Sequence, residues 1–166
     1  MMKNSLFGML ILVIQFYPGS AQDQLPSVNQ RIINYVDGVI GIRVGRGECW
    51  DLADEALMRS GAKFDKSSKE TLYIFGRKYD HRKEPILPGD IIQFQKVIVK
   101  YQKGNTIITE TMAHHTAIVY EIRENHKMNL AHQNTSRIGK KVGISEFDLN
   151  HIQKGKLYFY RPIPSD

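Results

Sequence analysis

The apolar pattern of this chain changes period once, and that change limits the folds open to it. Between residues 27 and 60 the apolar side chains recur at helical spacing; from Ile91 onward they alternate, or cluster in short β-branched runs. Val28, Ile32, Ile33 and Val36 make one helical face, with Ser27 as the expected N-cap and Asp37-Gly38 as the stop. Cys49, Leu52, Ala53, Ala56 and Leu57 make a second face, on a helix that starts at Glu48 or Cys49 and is closed by Gly61. Gly41, Gly45 and Gly47 crowd the approach to this second helix, which marks a tight turn there. Residues 65–70 are charged and fit a helix or a loop.

After the turn at Pro88-Gly89-Asp90, strands are predicted over residues 91–94, 97–101, 106–111, 115–121, 128–134 and 157–161. Lys103-Gly104-Asn105 closes one hairpin, and Glu124-Asn125-His126-Lys127 closes another. Helices first and an antiparallel sheet afterwards describe an α+β domain. No repeat or Pro/Gly/Ser-rich linker divides residues 22–166, so one domain is expected there.

Residues 1–21 stand apart. Lys3, an apolar run over 6–16 and the small residues that end at Ala21 read as a secretory signal peptide cleaved near Ala21. The expectation is an exported protein, periplasmic or extracellular, with no transmembrane segment. Removing this leader takes away one Lys and no acid, so the net charge falls from +6 to +5. That modest positive charge suits an anionic wall polymer as a partner. The basic residues are scattered, and no nucleic-acid groove is expected.

Cys49 is the only cysteine and cannot form an internal disulfide. It falls in the first turn of its helix, where unpaired amides and the macrodipole favour a thiolate and could also hold an oxyanion. A base must come from elsewhere in the chain. His115 opens an apolar strand, and His132 lies near the end of the next one; an antiparallel pairing would bring the two together. His114 competes with His115, but strand alternation turns the two to opposite faces, so only one can meet Cys49. A zinc site built from His114 or His115 with His126 and His132 matches no helical or CxxC ligand spacing, and no metal is expected.

Four segments then carry a resemblance: Gly45-Arg46-Gly47-Glu48-Cys49-Trp50-Asp51-Leu52-Ala53, Pro88-Gly89-Asp90-Ile91-Ile92-Gln93-Phe94, His115-Thr116-Ala117-Ile118-Val119 and His132-Gln133-Asn134. Their order and spacing resemble the CHAP and NlpC/P60 papain-like cysteine peptidase and amidase superfamily, over roughly residues 27–162. The resemblance implies a papain-like fold of NlpC/P60-CHAP type, its N-terminal helices packed on a C-terminal antiparallel sheet. It also implies Cys49 as nucleophile, His115 as base and His132 as the residue that orients it, with no cofactor. Trp50, Glu48 and Asn134 would support the site, with Gln133 or Asn134 as rivals to His132 for the third position.

The function so implied is an exported cysteine hydrolase that cleaves an amide bond in peptidoglycan or a related peptide, as an endopeptidase or an amidase. The stretch from Gly47 to Ala53 also resembles domains of fungal cytoskeleton-associated proteins. Glu48 departs from the amide that CHAP-type chains often carry before the cysteine. Ionised and turned inward, it would raise the thiol pKa and oppose an oxyanion. A catalytically inactive binding module on the same fold is therefore the alternative. Asn134-Thr135-Ser136 also forms a glycosylation sequon, which is read as accidental.

Overall fold

The computed structural model describes residues 25–124 and 126–165. The expected leader lies outside them. Two helices come first: α1, Ser27–Val39, and α2, Cys49–Ser60. Six strands follow: β1 (Arg77–Tyr79), β2 (Ile91–Lys103), β3 (Thr106–Glu124), β4 (Lys127–His132), β5 (Gly143–Asp148) and β6 (Ile152–Arg161). They form one antiparallel sheet in the order β1-β6-β2-β3-β4-β5. No helix among the described residues is long and apolar enough to cross a membrane.

Period-2 alternation splits the apolar side chains of the sheet between two cores. Ile91, Ile118, Ala131 and Tyr160 turn toward the helices and pack with Ile32, Val36, Leu52, Ala53 and Leu57. Ile92, Phe94, Ala117, Val119, Leu130 and Phe159 turn to the other face, with Phe147 and Met128. Side chains on β3 therefore sort by residue number from His114 to Tyr120: even positions face the helices and odd positions face away.

Local chemistry sets the helix ends. Pro26, not Ser27, is the N-cap residue of α1, which continues through Gly38 to Val39, past the predicted stop. Val39 packs against the helix-side core, and that burial outweighs the helix cost of one glycine, about 1 kcal/mol. At α2, Asp51 Oδ2 accepts hydrogen bonds from the Glu48 and Arg46 amides, and Gly61 ends the helix at φ 67°. Residues 65–70 form a loop, irregular over 65–66, bent at 67–68 and turning at 69–70.

Two pairs of predicted strands are in fact single strands. Residues 91–94 and 97–101 join in β2, while 106–111 and 115–121 join in β3. The apparent gap in β2 is a bulge: Gln95 and Lys96 are exposed, Lys96 has φ 53°, and the register with β6 shifts between Gln95 and Ile98. β4 ends at His132 and not at Asn134, and β6 begins five residues earlier than predicted. β1 and β5 carry no apolar run long enough to announce them.

Beneath the junction of α1, β1, β2 and β6 lies Asp90, fully buried. Oδ1 accepts from Asn29 Nδ2 at 3.0 Å and Arg161 Nε at 3.1 Å. Oδ2 accepts from the Tyr79 hydroxyl at 2.6 Å, the Leu87 amide at 2.9 Å and Arg161 Nη2 at 2.9 Å. The preceding Gly89 has φ 82°, and a Cβ there would meet Asn29 O at 2.7 Å, so this turn requires glycine. Replacing Asp90 by Ala strands a guanidinium and several donors in the interior. We expect Asp90→Ala to lose about 3–5 kcal/mol in urea unfolding, against less than about 1 kcal/mol for the exposed control Glu124→Ala.

Candidate functional site

Cys49 is the first residue of α2, half-buried at the mouth of a pocket of about 400 Å³. Arg46, Glu48, Trp50, Leu72, Tyr73, His114 and Asn134 complete the lining. Burial pushes the thiol pKa up, and the Glu48 charge adds to the rise; the amides of Thr116, Trp50 and Cys49 itself oppose it without cancelling it. The helix start thus supplies the expected anion-stabilising amides, but desolvation outweighs them.

Trp50 is anchored as well as exposed to the pocket. Its Nε1 donates to Leu72 O at 2.7 Å, and its ring packs on Phe64. Glu48 is turned toward the loop that follows β4: Oε2 accepts from Asn134 Nδ2, and Oε1 accepts from Lys140 Nζ at 2.8 Å. Asn134 holds its end of this contact in the left-handed region, at φ 62°.

His115 and His132 are adjacent across β3 and β4. His115 Nε2 and His132 Nδ1 lie 2.9 Å apart, and His132 Nε2 lies 2.8 Å from Ser145 Oγ on β5. Each ring nitrogen donates or accepts, never both, so the chain has two consistent settings. If His132 Nε2–H donates to Ser145, then His115 Nε2–H donates to His132 and His115 Nδ1 is left as a free acceptor. If Ser145 donates, every step reverses and His115 Nδ1 carries the proton.

Alternation along β3 turns this pair to the face opposite His114. His115 shares its face with Ala117 and Val119, away from the helices, and its ring packs on Phe94. His114 shares its face with Ile118 and lines the Cys49 pocket, where its ring meets Tyr73 edge-on at 4.5 Å. Cys49 approaches the β3 backbone at Thr116, one residue beyond His115. Among the described residues no hydrogen bond joins the thiol to an imidazole. The structure thus brings His115 to His132, and Cys49 to His114, Glu48, Trp50 and Asn134. His126 sits at the opposite end of β4 from His132, roughly 20 Å along a strand, so the two cannot share an ion.

Gln133 has a role that the sequence reading offered only as a rival for the third position. Fully buried, it donates from Nε2 to Val44 O and Glu48 O and accepts from the Val44 amide. It thereby ties the end of β4 to the approach of α2 and sets where Cys49 stands. Gln133 is the first residue beyond β4, and its contacts with Val44 and Glu48 place it on the helix side.

Burial lowers the pKa of both paired imidazoles: His115 to about 4, helped by His114, and His132 to about 3, helped by His115 and Arg137. The unfolded chain titrates these rings near 6.5, so it binds more protons once the pH drops below that value. Stability present above pH 6.5 is therefore lost as the pH falls toward 4 and 3. We expect the unfolding free energy to drop by roughly 2 kcal/mol per imidazole between pH 7 and pH 5. In urea titrations a His115→Gln, His132→Gln double variant should lose this dependence; an equal drop in the variant would refute the assignment.

Residues 20–166 match the family model described as AIM3/BBC1 Cysteine proteinase-fold domain. A curated relative, Altered inheritance of mitochondria protein 3 of Debaryomyces hansenii, is 27% identical over 92% of this chain. The chain spans 19% of that relative's length. Among solved structures, the crystal structure of Ly7917 is similar at 19% identity and a TM-score of 0.45, covering 80% of this chain and 62% of that one. The crystal structure of Ly7917 with the hydrolyzing product of MDP gives 18% identity and a TM-score of 0.46 over 81% of this chain. A likeness at that level says nothing of chemistry.

The family and the relative overturn one expectation. A domain of the AIM3/BBC1 type, similar to a protein named for inheritance of mitochondria, is not the hydrolase of peptidoglycan peptide that the motif order implied. What stands is the α+β architecture of two helices on a six-stranded antiparallel sheet, and with nearly its whole length matched the chain belongs to the AIM3/BBC1 cysteine proteinase-fold domain family.

Proposed function

We propose that this domain is an interaction module that has kept the cysteine proteinase fold without its resting chemistry. The observation that carries this reading is that the buried imidazoles bond to each other and, among the described residues, no hydrogen bond joins either of them to the thiol. A thiolate–imidazolium couple needs a thiol pKa brought down and an imidazole pKa held up, in contact with one another. In this chain burial drives the two in the wrong directions, and the paired imidazoles bond to each other. Glu48 adds a carboxylate beside the position that an oxyanion would take, and its ion pair with Lys140 leaves it in the pocket lining.

On this reading the CHAP and NlpC/P60 likeness of the motifs is a likeness of scaffold. Glycine turns, the Asp90 hub and a cysteine at a helix start are all used for folding as well as for catalysis. The ligand is a polypeptide, held by the apolar and aromatic wall of Trp50, Leu72 and Tyr73 and by the polar rim of Arg46 and Asn134.

Alkylation of Cys49 by iodoacetamide across pH 4–10, read as adduct mass, tests the proposal. The expected rate rises only above the free-thiol pKa of about 8.5 and is unchanged in His114→Ala and His115→Ala. Fast labelling below pH 7 that disappears in His115→Ala would overturn it, because the His115–His132–Ser145 chain would then be serving the thiol.

A further inference from the structure

β3 is much longer than the strand that covers its outer side. It runs over 19 residues, from Thr106 to Glu124, and pairs with β2 from Thr106 to Ile118. β4 pairs with it only from Ile118 onward. Residues 106–115 therefore present one side of their backbone to no strand among those described, and alternate N–H and C=O groups there point away from the sheet.

The composition of this edge differs from that of β1 and of the uncovered stretch of β6. An exposed edge invites another strand, and proteins blunt it with lysine, proline, a bulge or brevity. β1 has three residues, two of them Arg77 and Lys78. β6 extends beyond β1 with Lys154, Gly155 and Lys156 on its uncovered stretch. The stretch of β3 from Thr106 to His115 has no Lys, Arg, Pro or Gly, only one acid, Glu110, and five β-branched residues: Thr106, Ile107, Ile108, Thr109 and Thr111. Its own residues include none of these blunting devices.

A wall faces this edge. A groove of about 380 Å³ lies between residues 109–115 of β3 and the loop 134–138, with His132 and Ser145 at its base. The loop limits the occupant to a single extended segment, because a second copy of the domain, bringing its own sheet, would collide with it. His114 and Asn134 line both this groove and the Cys49 pocket, so the two are continuous. Arg137 of the loop reaches Glu110 at 3.7 Å and the Tyr101 hydroxyl at 3.4 Å, which closes the distal end.

We infer that the free edge of β3 receives an extended segment of a partner polypeptide as an added strand, running along the groove toward Cys49. Main-chain hydrogen bonds to residues 109–114 supply the affinity, and small or β-branched side chains suit the neutral lining of Thr109, Thr111, Thr135, Ser136 and Ile138. The inference rests on the reading of the domain as an interaction module and names how its partner is held.

Phage-displayed random linear decapeptides, panned against the full chain, provide the probe. Enriched peptides are then synthesised with alternate amides N-methylated, in the odd set or the even set, and their affinities are measured by fluorescence anisotropy. We expect one methylated set to weaken binding at least ten-fold and the other to leave it within about two-fold, since an added strand offers only alternate amides to the edge. Thr111→Lys, an exposed change that leaves the core intact, should also weaken binding at least ten-fold. The proposal is overturned if no peptide is enriched, if both methylated sets bind alike, or if Thr111→Lys binds as the wild type does. Rapid alkylation of Cys49 with strand-like binding intact would refute the module reading alone, whereas an inert Cys49 with no strand-like binding would refute the edge alone.

Discussion

A buried carboxylate with five donors holds this fold together. Asp90 stands where the chain leaves the loop after β1 and enters β2, and its oxygens gather α1 through Asn29, β1 through Tyr79 and β6 through Arg161. An ionised group in the interior is costly unless every lone pair finds a donor. Here the donors come from segments far apart in sequence, so no single segment completes the hub and none can shift without exposing the others. The edge of the sheet, the first helix and the start of β2 are fixed by the same atoms, and β3, which pairs along the whole of β2, inherits that placement.

From β3 the consequence passes to the functional groups. A strand gives each residue one of two faces, and that choice separates His114 from His115 more firmly than their adjacency in sequence joins them. His115 is committed to the far face by Phe94 and by its bond to His132, while His114 is committed to the helix face by Tyr73. Gln133, one residue after His132, crosses to the helix side and fixes the approach to α2. The thiol and the imidazole pair are thus placed by neighbouring residues on shared strands, yet open into different parts of a continuous groove.

Much of this architecture was legible in the sequence because burial imposes a period. The two helices, the α+β order, both hairpins and the pairing of the strands that carry His115 and His132 follow from apolar spacing and turn residues. Strand ends were less legible: Gln95 and Lys96 interrupt the apolar pattern of β2 although the backbone continues through a bulge, and β1 has too few residues to show a pattern. At the site, the position of Cys49 at a helix start was readable, but its acidity was not. Thiol ionisation depends on how many atoms surround the sulfur and on which amides reach it, and those atoms come from Thr116, 67 positions away. Motif order, too, carried a scaffold more faithfully than an activity, since the same glycines and Asp90 are demanded by folding alone.

The two halves of the groove place different demands on a ligand, and this bears on why the pairing edge is bare. An active cysteine hydrolase must hold its substrate and then release products, so its affinity is best realised in the transition state. A module is under the opposite constraint: its ground-state contacts are the whole of its function. A long edge free of lysine and proline supplies such contacts through the backbone of an extended segment, and the loop 134–138 faces that edge across the groove. The contact of Asn134 with Glu48 anchors the start of that loop, and the Lys140–Glu48 ion pair anchors its end. The carboxylate that lines the Cys49 pocket is therefore also the group that ties down both ends of the segment facing β3.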